Sequence, residues 1–310
     1  MEVGSVNEHI AVGLDGSRES LAAADWAARE ALRRRLPLRL VHAWEGLTHQ
    51  EREAVREDPG LQVPHYWARR ILRTTENDLS MRYPSLRMTA DLLAAHPMTV
   101  VARAAEEAQL LALGSRGLGG VTGFLVGSVA MSTVAHAAKP VALVRAGHRA
   151  EDEHLLDDTG RASQATPYRE VVVGLDARRP CEPVLEFAFD AAARRAAELR
   201  VVHLWNPPSA YADFPTAATE LEVNRTFEAR AREAVALELR PWREKYPEQP
   251  VVEVLRRGKP ARQLLAAAGG AGLLVVGRRI RRAAAGAHIG PVAHAVIHRA
   301  KCPVVVVSHE

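Results

Sequence analysis

Cysteine, long apolar runs and net charge are all scarce in this chain of 310 residues. Its two cysteines, Cys181 and Cys302, lie far apart in the sequence, which excludes a disulfide framework and a cysteine metal site. No apolar run approaches the roughly 18 residues of a membrane span, and the start MEVGSVNEHI lacks the features of a signal peptide. We therefore expect a cytoplasmic protein without a membrane partner.

The charge balance and the polar residues exclude several further activities. A formal net charge of +4 is too small to predict nucleic-acid binding. The chain contains no readable order of Ser, His and Asp and no paired carboxylates of the kind that catalytic sites use. His294 and His298 stand four residues apart, but without the carboxylate of the H-E-x-x-H pattern. We therefore predict no catalytic residues, no metal ligands and no enzymatic activity.

An internal repeat organises the chain. Residues 9–44 align without gaps on residues 170–205 at an offset of 161, and matched glycines and prolines continue later at an offset of 163. The later pairs are Pro97 with Pro260, Gly114 with Gly277, Gly127 with Gly290 and Pro140 with Pro303. Two copies of one domain are thus predicted, at residues 1–146 and 169–310, with a polar linker at 147–168.

Each copy alternates short, continuous apolar runs with helical patterns, which is typical of parallel strands that are buried on both faces. The runs predict strands near 9–14, 38–44, 86–93, 109–113 and 140–145 in the first copy. Helices are predicted near 18–35, 64–82, 97–107 and 127–138, and the second copy has its longest helix near 216–246. The fold class is therefore α/β, with two tandem Rossmann-like, doubly wound domains.

A glycine-rich loop follows the fourth predicted strand and precedes a predicted helix. Such a loop exposes backbone N–H groups and the positive end of the helix dipole, and both attract phosphate. The Walker A pattern is excluded because no lysine precedes Ser128, and the Rossmann fingerprint is excluded because its third glycine falls on Thr122. The spacing that is present is Gly114, two residues, Gly117, nine residues, then Gly127 and Ser128.

This G-x2-G-x9-G-S spacing resembles the ATP-binding motif of the universal stress protein family, and the resemblance covers nearly the whole chain outside the linker. It implies HUP-type domains with the strand order 3-2-1-4-5 and a site at the carboxyl ends of strands 1 and 4. The topological switch-point rule places a ligand at the same edge of the sheet.

The resemblance also implies individual contacts. Asp15 would contact the nucleoside, and the backbone of Ala43 would contact adenine. The glycine-rich loop would surround the ribose and phosphates, with the hydroxyl of Ser128 on the outer phosphates. The implied nucleotide-binding residues are Gly13, Asp15, Ala43, Gly114, Ser115, Arg116, Gly117, Gly127, Ser128 and Val129. The alternative for Asp15 is that it or Ser17 only caps the following helix, and His42 is interpreted as a packing residue at the end of strand 2.

The second copy departs from this pattern at two loop positions. Ile280 replaces the glycine that matches Gly117, and Pro291 replaces the serine that matches Ser128. Ile280 obstructs a close backbone approach, and Pro291 lacks both the hydroxyl and the N–H donor. We therefore expect the second domain to bind ATP weakly or not at all. The arginines at 278, 279, 281 and 282 leave open the alternatives of another anion or a solvated loop.

The function that the resemblance implies is a nucleotide-dependent regulatory or signalling switch in stress or dormancy responses. Its ligand would be ATP or another adenine nucleotide, with Mg²⁺ left open as a companion. The resemblance further implies pairing through the last strands within the chain, a homodimer and an unidentified protein partner. Two alternatives remain: an interaction module that binds no nucleotide, and an adenine-nucleotide enzyme with slow ATP hydrolysis.

Overall fold

The computed structural model describes residues 8–46, 63–115, 127–177, 179, 181–207, 217–280 and 289–310. The chain divides into two compact units, residues 1–150 and 151–310. In each unit, α-helices alternate with strands of a parallel sheet, which confirms the predicted tandem of α/β domains. Within the described part of the chain, no helix has the length and apolarity needed to cross a bilayer.

The first unit contains one parallel sheet in the order β3-β2-β1-β4-β5. Its central strands consist almost entirely of buried residues, as expected for strands with helices on both faces. The elements are β1 (Ile10–Leu14), α1 (Arg18–Arg34), β2 (Leu38–Trp44), α2 (Val63–Arg82), β3 (Met88–Ala94), α3 (Pro97–Glu107), β4 (Leu110–Ser115), α4 (Ser128–His136) and β5 (Val141–Arg145).

The second unit repeats this topology, with strand order β8-β7-β6-β9-β10. Its elements are β6 (Val171–Leu175), α5 (Glu182–Arg195), β7 (Leu199–Trp205), α6 (Ala217–Lys245), β8 (Val251–Arg257), α7 (Pro260–Ala267), β9 (Leu273–Arg279), α8 (Pro291–Arg299) and β10 (Val304–His309).

The first helix of each unit differs in where it begins. Ser17 caps α1, and its side chain accepts a hydrogen bond of 3.1 Å from the backbone N–H of Ser20. Helix α5 begins at Glu182, whose match in the first unit is Leu21, three residues after the start of α1. The first turn of α1 therefore has no helical counterpart in the second unit.

Residues 151–168, most of the segment that we expected to be a linker, pack on the second unit. His154 and Tyr168 form an antiparallel bridge, their ring centroids lie 4.0 Å apart, and Glu153 and His154 are both buried. The backbone N–H of Arg169 donates to the carbonyl of Glu153 at 2.8 Å. The domain division at 1–146, 147–168 and 169–310 remains a prediction.

A buried carboxylate joins α1 to α2 in the first unit. Asp25, which is 9% exposed, forms ion pairs with Arg29 on its own helix and with Arg82 at the end of α2. The hydroxyl of Tyr83 donates to the same carboxylate at 2.9 Å. Arg82 also pairs with Asp78, but that carboxylate is exposed. The ion pairs that join α1 to α2 in this cluster therefore depend on Asp25.

Replacement of Asp25 by alanine should destabilise the first unit by about 3–5 kcal/mol, because the nearly buried Arg29 loses its carboxylate. The matched control, Asp78→Ala, removes an exposed partner of the same Arg82 and should cost about 1 kcal/mol or less. Urea unfolding of both variants measures the difference, and equal losses for the two would contradict a dominant role for Asp25.

Candidate functional site

The carboxyl ends of three neighbouring strands bring most of the predicted site residues to one edge of the first sheet. In the strand registers, Leu14 pairs with His42, and Val12 pairs with Ala112 two residues before Gly114. Asp15 directly follows β1, and Ala43 is the last residue but one of β2. Gly114 and the buried Ser115 are the last two residues of β4. Arg116 and Gly117 lie outside the described residues.

Asp15 is held as an ionised acceptor at this edge. The backbone N–H of Ser17 donates to Oδ1 at 2.9 Å, and the hydroxyl of Ser17 donates to the same oxygen. Partial burial acts to raise the pKa of Asp15, but the hydrogen bonds from Ser17 and Ser20 outweigh burial and lower the pKa below its ordinary value. Both hydrogen bonds from Ser17 use Oδ1 of the carboxylate.

His42 has a role that the sequence interpretation missed. Its Nδ1 lies 2.6 Å from the carbonyl oxygen of Leu14, the residue immediately before Asp15. In the second unit, His203 makes the same contact with the carbonyl of Leu175 at 3.0 Å. The imidazole thus fixes the end of the first strand in both units. The signal was available in the sequence, because the repeat aligns the two histidines.

Two of the predicted glycines lie close to other parts of the protein, and only at Gly114 is the neighbour backbone that cannot easily move. A Cβ at Gly114 would lie 2.6 Å from the carbonyl carbon of Glu19 and 2.7 Å from the backbone nitrogen of Ser20. A Cβ at Gly13 would lie 2.7 Å from Cδ2 of Leu113. The glycine in β4 therefore permits α1 to approach the sheet, which is a different reason from the approach of a ligand that we predicted.

The N-terminus of α4 has the properties of an anion site. Its N-cap, Gly127, provides no side-chain hydrogen bond, so the first N–H groups of the helix have no cap within the described residues. Ser128 is exposed at the first helical position, and Val129 follows it. A Cβ at Gly127 would meet no atom of the described residues within 4 Å, so contacts with those residues do not explain this glycine. Unlike Gly114, it is consistent with a role in ligand binding.

The second unit contains a cavity at the equivalent edge of its own sheet, with a volume of about 390 Å³. The repeat makes this cavity informative, because eight of the ten predicted site positions have their matched residue in its lining. These matched residues are Gly174, Asp176, Leu204, Gly277, Arg279, Gly290, Pro291 and Val292. The fold thus brings the positions selected from the sequence together around one space in the second unit.

The described residues contain neither a group of metal ligands nor a reactive thiol at the cavity. No group of three or more His, Cys, Asp or Glu side chains among them is arranged to hold a metal ion. Cys181 lines the cavity of the second unit, where burial, with smaller contributions from Glu238 and Asp176, raises the pKa of its thiol to about 12. The thiol is therefore protonated at neutral pH and is a poor nucleophile.

The chain contains two Rossmann-like units in tandem. In each unit, polar residues and a helix with a glycine N-cap lie at the carboxyl edge of the sheet, and this arrangement is that of the HUP-type α/β proteins. The family comparison is more specific, since the model of the Universal stress protein family matches residues 7–145 and 167–308. The chain belongs to the universal stress protein family.

Curated relatives match the chain over nearly its full length. Universal stress protein Rv2005c of Mycobacterium tuberculosis is 32% identical over 309 residues, which cover 96% of each chain. Universal stress protein Rv2623 of the same organism is 31% identical over 315 residues, covering 99% of this chain and 98% of the relative. A universal stress protein structure from Archaeoglobus fulgidus has a TM-score of 0.62 at 16% identity, covers 99% and 100% of the two chains, and supports the fold.

The two motif glycines should respond differently to alanine. Gly114→Ala places a Cβ against the backbone of α1 and should destabilise the first unit by about 1–3 kcal/mol. Gly127→Ala meets no neighbour among the described residues and should change stability by less than about 1 kcal/mol. Urea unfolding measures both, and a stable Gly114→Ala variant would show that the contact with α1 is not restrictive.

Proposed function

We propose that the first unit binds ATP and that the protein acts as a nucleotide-dependent regulatory switch. The observation that carries this proposal is the agreement between the motif and the repeat. Three of the four positions in the G-x2-G-x9-G-S spacing, Gly114, Gly127 and Ser128, have matched residues that line one cavity of the second unit. The two units share one topology, so the same positions should surround a space in the first unit.

Each part of the nucleotide has a chemical counterpart at this edge. The ionised carboxylate of Asp15 is an acceptor for a ribose hydroxyl. The backbone of Ala43, at the end of the neighbouring strand, is the proposed contact for adenine. The uncapped N–H groups of α4 and the hydroxyl of Ser128 are donors for phosphate oxygens. In this proposal Mg²⁺ enters with the nucleotide, on its phosphates.

The switch would act through α4. Its N-terminus has no side-chain cap in the described residues, and α4 directly follows the glycine-rich stretch that carries Arg116 and Gly117. A triphosphate on this terminus would supply the missing acceptors and would connect the helix to the end of β4. ATP would thereby stabilise one local conformation of this region, and that conformation would be the signal for a partner.

Calorimetric titration of the full chain with ATP tests the site. We expect one ATP per chain, and Asp15→Ala should weaken binding by about 10-fold or more, because a ligand hydroxyl loses a charged acceptor. The repeat provides a matched control in Asp176→Ala, which removes the equivalent carboxylate from the second unit and should leave ATP affinity unchanged. Equal weakening by the two variants, or no binding by the folded wild type, would contradict the proposal.

Hydrogen exchange with and without ATP tests the switch separately from the site. Amides of α4 and of the end of β4 should become more protected when ATP binds, because the nucleotide would connect these elements. The matched helix α8 of the second unit serves as an internal control and should not change. Binding without altered protection in the first unit would retain the ATP site and reject the switch.

A further inference from the structure

The cavity of the second unit is polarised across its sheet. At the β7 side its lining is apolar and comes from Val202 and Leu204 together with Leu264 of α7. At the β9 and β10 side it is polar, with Arg279 and His309 as register partners at the ends of these strands. A ligand that satisfies both ends has an apolar body and a charged or polar head.

The late start of α5 adds to the polar end. Arg179 matches Arg18, the first residue of α1, but it precedes α5 and lines the cavity. The residues around Gly277 also differ from those around its match, Gly114. A Cβ at Gly277 would meet the ring of His309 at 2.8 Å and the side chain of Val184, whereas at Gly114 it would meet the backbone of α1. The two units therefore fill equivalent positions with different parts of the chain.

The charged groups of the lining suit a ligand with one negative charge. Among the described residues of the lining, the two arginines Arg179 and Arg279 and the one carboxylate of Asp176 together carry a charge of +1. Burial and the nearby arginines lower the pKa of His309, so its ring is neutral at neutral pH. At the start of α8, Gly290 supplies no side-chain cap, and Val292 and Ala293, in the first turn of this helix, line the same cavity.

Replacements relative to the first unit place larger apolar side chains in the lining of this cavity. Ala43 is matched by Leu204, Val101 by Leu264 and Ala23 by Val184, and each change adds apolar volume. Pro291 takes the place of Ser128, which removes a hydroxyl and an N–H donor from the first position of the helix. These changes disfavour a triphosphate, which needs several donors at that terminus.

We propose that this cavity binds a small organic monoanion, a carboxylic acid with an aromatic or branched aliphatic body. The carboxylate lies between Arg279, Arg179 and the first N–H groups of α8, and the body packs against Leu204 and Leu264. The cavity volume of about 390 Å³ lies within the range of small-molecule sites, roughly 300–1,000 Å³. This site is independent of the ATP site proposed for the first unit.

The test uses the full chain with three probe acids: 3-phenylpropionate, benzoate and isovalerate. Ligand-observed NMR and calorimetry should show binding of at least one acid at millimolar concentration or below, with one site per chain. The neutral amide of that acid should bind roughly 10-fold to 100-fold more weakly, because it lacks the charge that the arginines recognise. Absence of binding by all three acids would overturn the proposal.

Variants locate the site. Arg279→Gln removes an exposed cation of the lining and should weaken the acid by roughly 10-fold or more. Arg262→Gln is the matched control, because Arg262 is exposed on α7 but does not line the cavity. Equal effects of the two variants would contradict binding in this cavity and indicate nonspecific attraction to positive charge.

Competition with ATP separates this proposal from the function proposed for the first unit. ATP should not displace the acid from the wild type or from the Asp15→Ala variant. Displacement in both would mean that the second cavity is itself a nucleotide site, and the acid proposal would fall. Failure of ATP to bind the first unit would leave the acid result unaffected, since the two sites use different residues.

Discussion

The close contact between the first turn of α1 and Gly114 determines how residues are arranged at the carboxyl edge of the first sheet. The backbone at Glu19 and Ser20 lies where a Cβ on β4 would be, so the helix can begin directly above the strand end. That position fixes Ser17 as the cap and Ser17 in turn holds Asp15 through two hydrogen bonds. In the second unit the helix begins three residues later, and a cavity lies at the matched edge.

The secondary structure was predictable because its causes are local. Continuous apolar runs located the strands, and the repeat allowed each interpretation to be checked against a second copy. The end of β4 was less predictable, since the strand extends through Gly114 and Ser115 instead of stopping at the first glycine. Both residues remain in the ladder because they pair with Val144 and Arg145 of β5, a tertiary contact that no local pattern encodes.

The site was predictable to a lesser extent. In the β1–α1 turn the capping role of Ser17 is confirmed, whereas the contact of Asp15 with a ligand stays a prediction. The packing role of Gly114 was missed because its neighbour Glu19 is remote in sequence. The cavity of the second unit was missed for a related reason. A departure from the motif, such as Pro291, predicts weak binding of ATP. It does not reveal whether the protein leaves space there for a different ligand.

The pairing of β1 with β4 has a consequence for how the protein forms during synthesis. Ile10 lies beside Leu110, so the two central strands of the first sheet are 100 residues apart in the chain. Contacts between such distant segments are slow to form, because a long loop must close before they contribute. The ribosome must release β4 before the carboxyl ends of β1 and β4 can lie side by side, whereas the hydrogen bonds between Ser17 and Asp15 are local and do not need β4. Any ligand of the first unit can therefore stabilise only a late stage of folding.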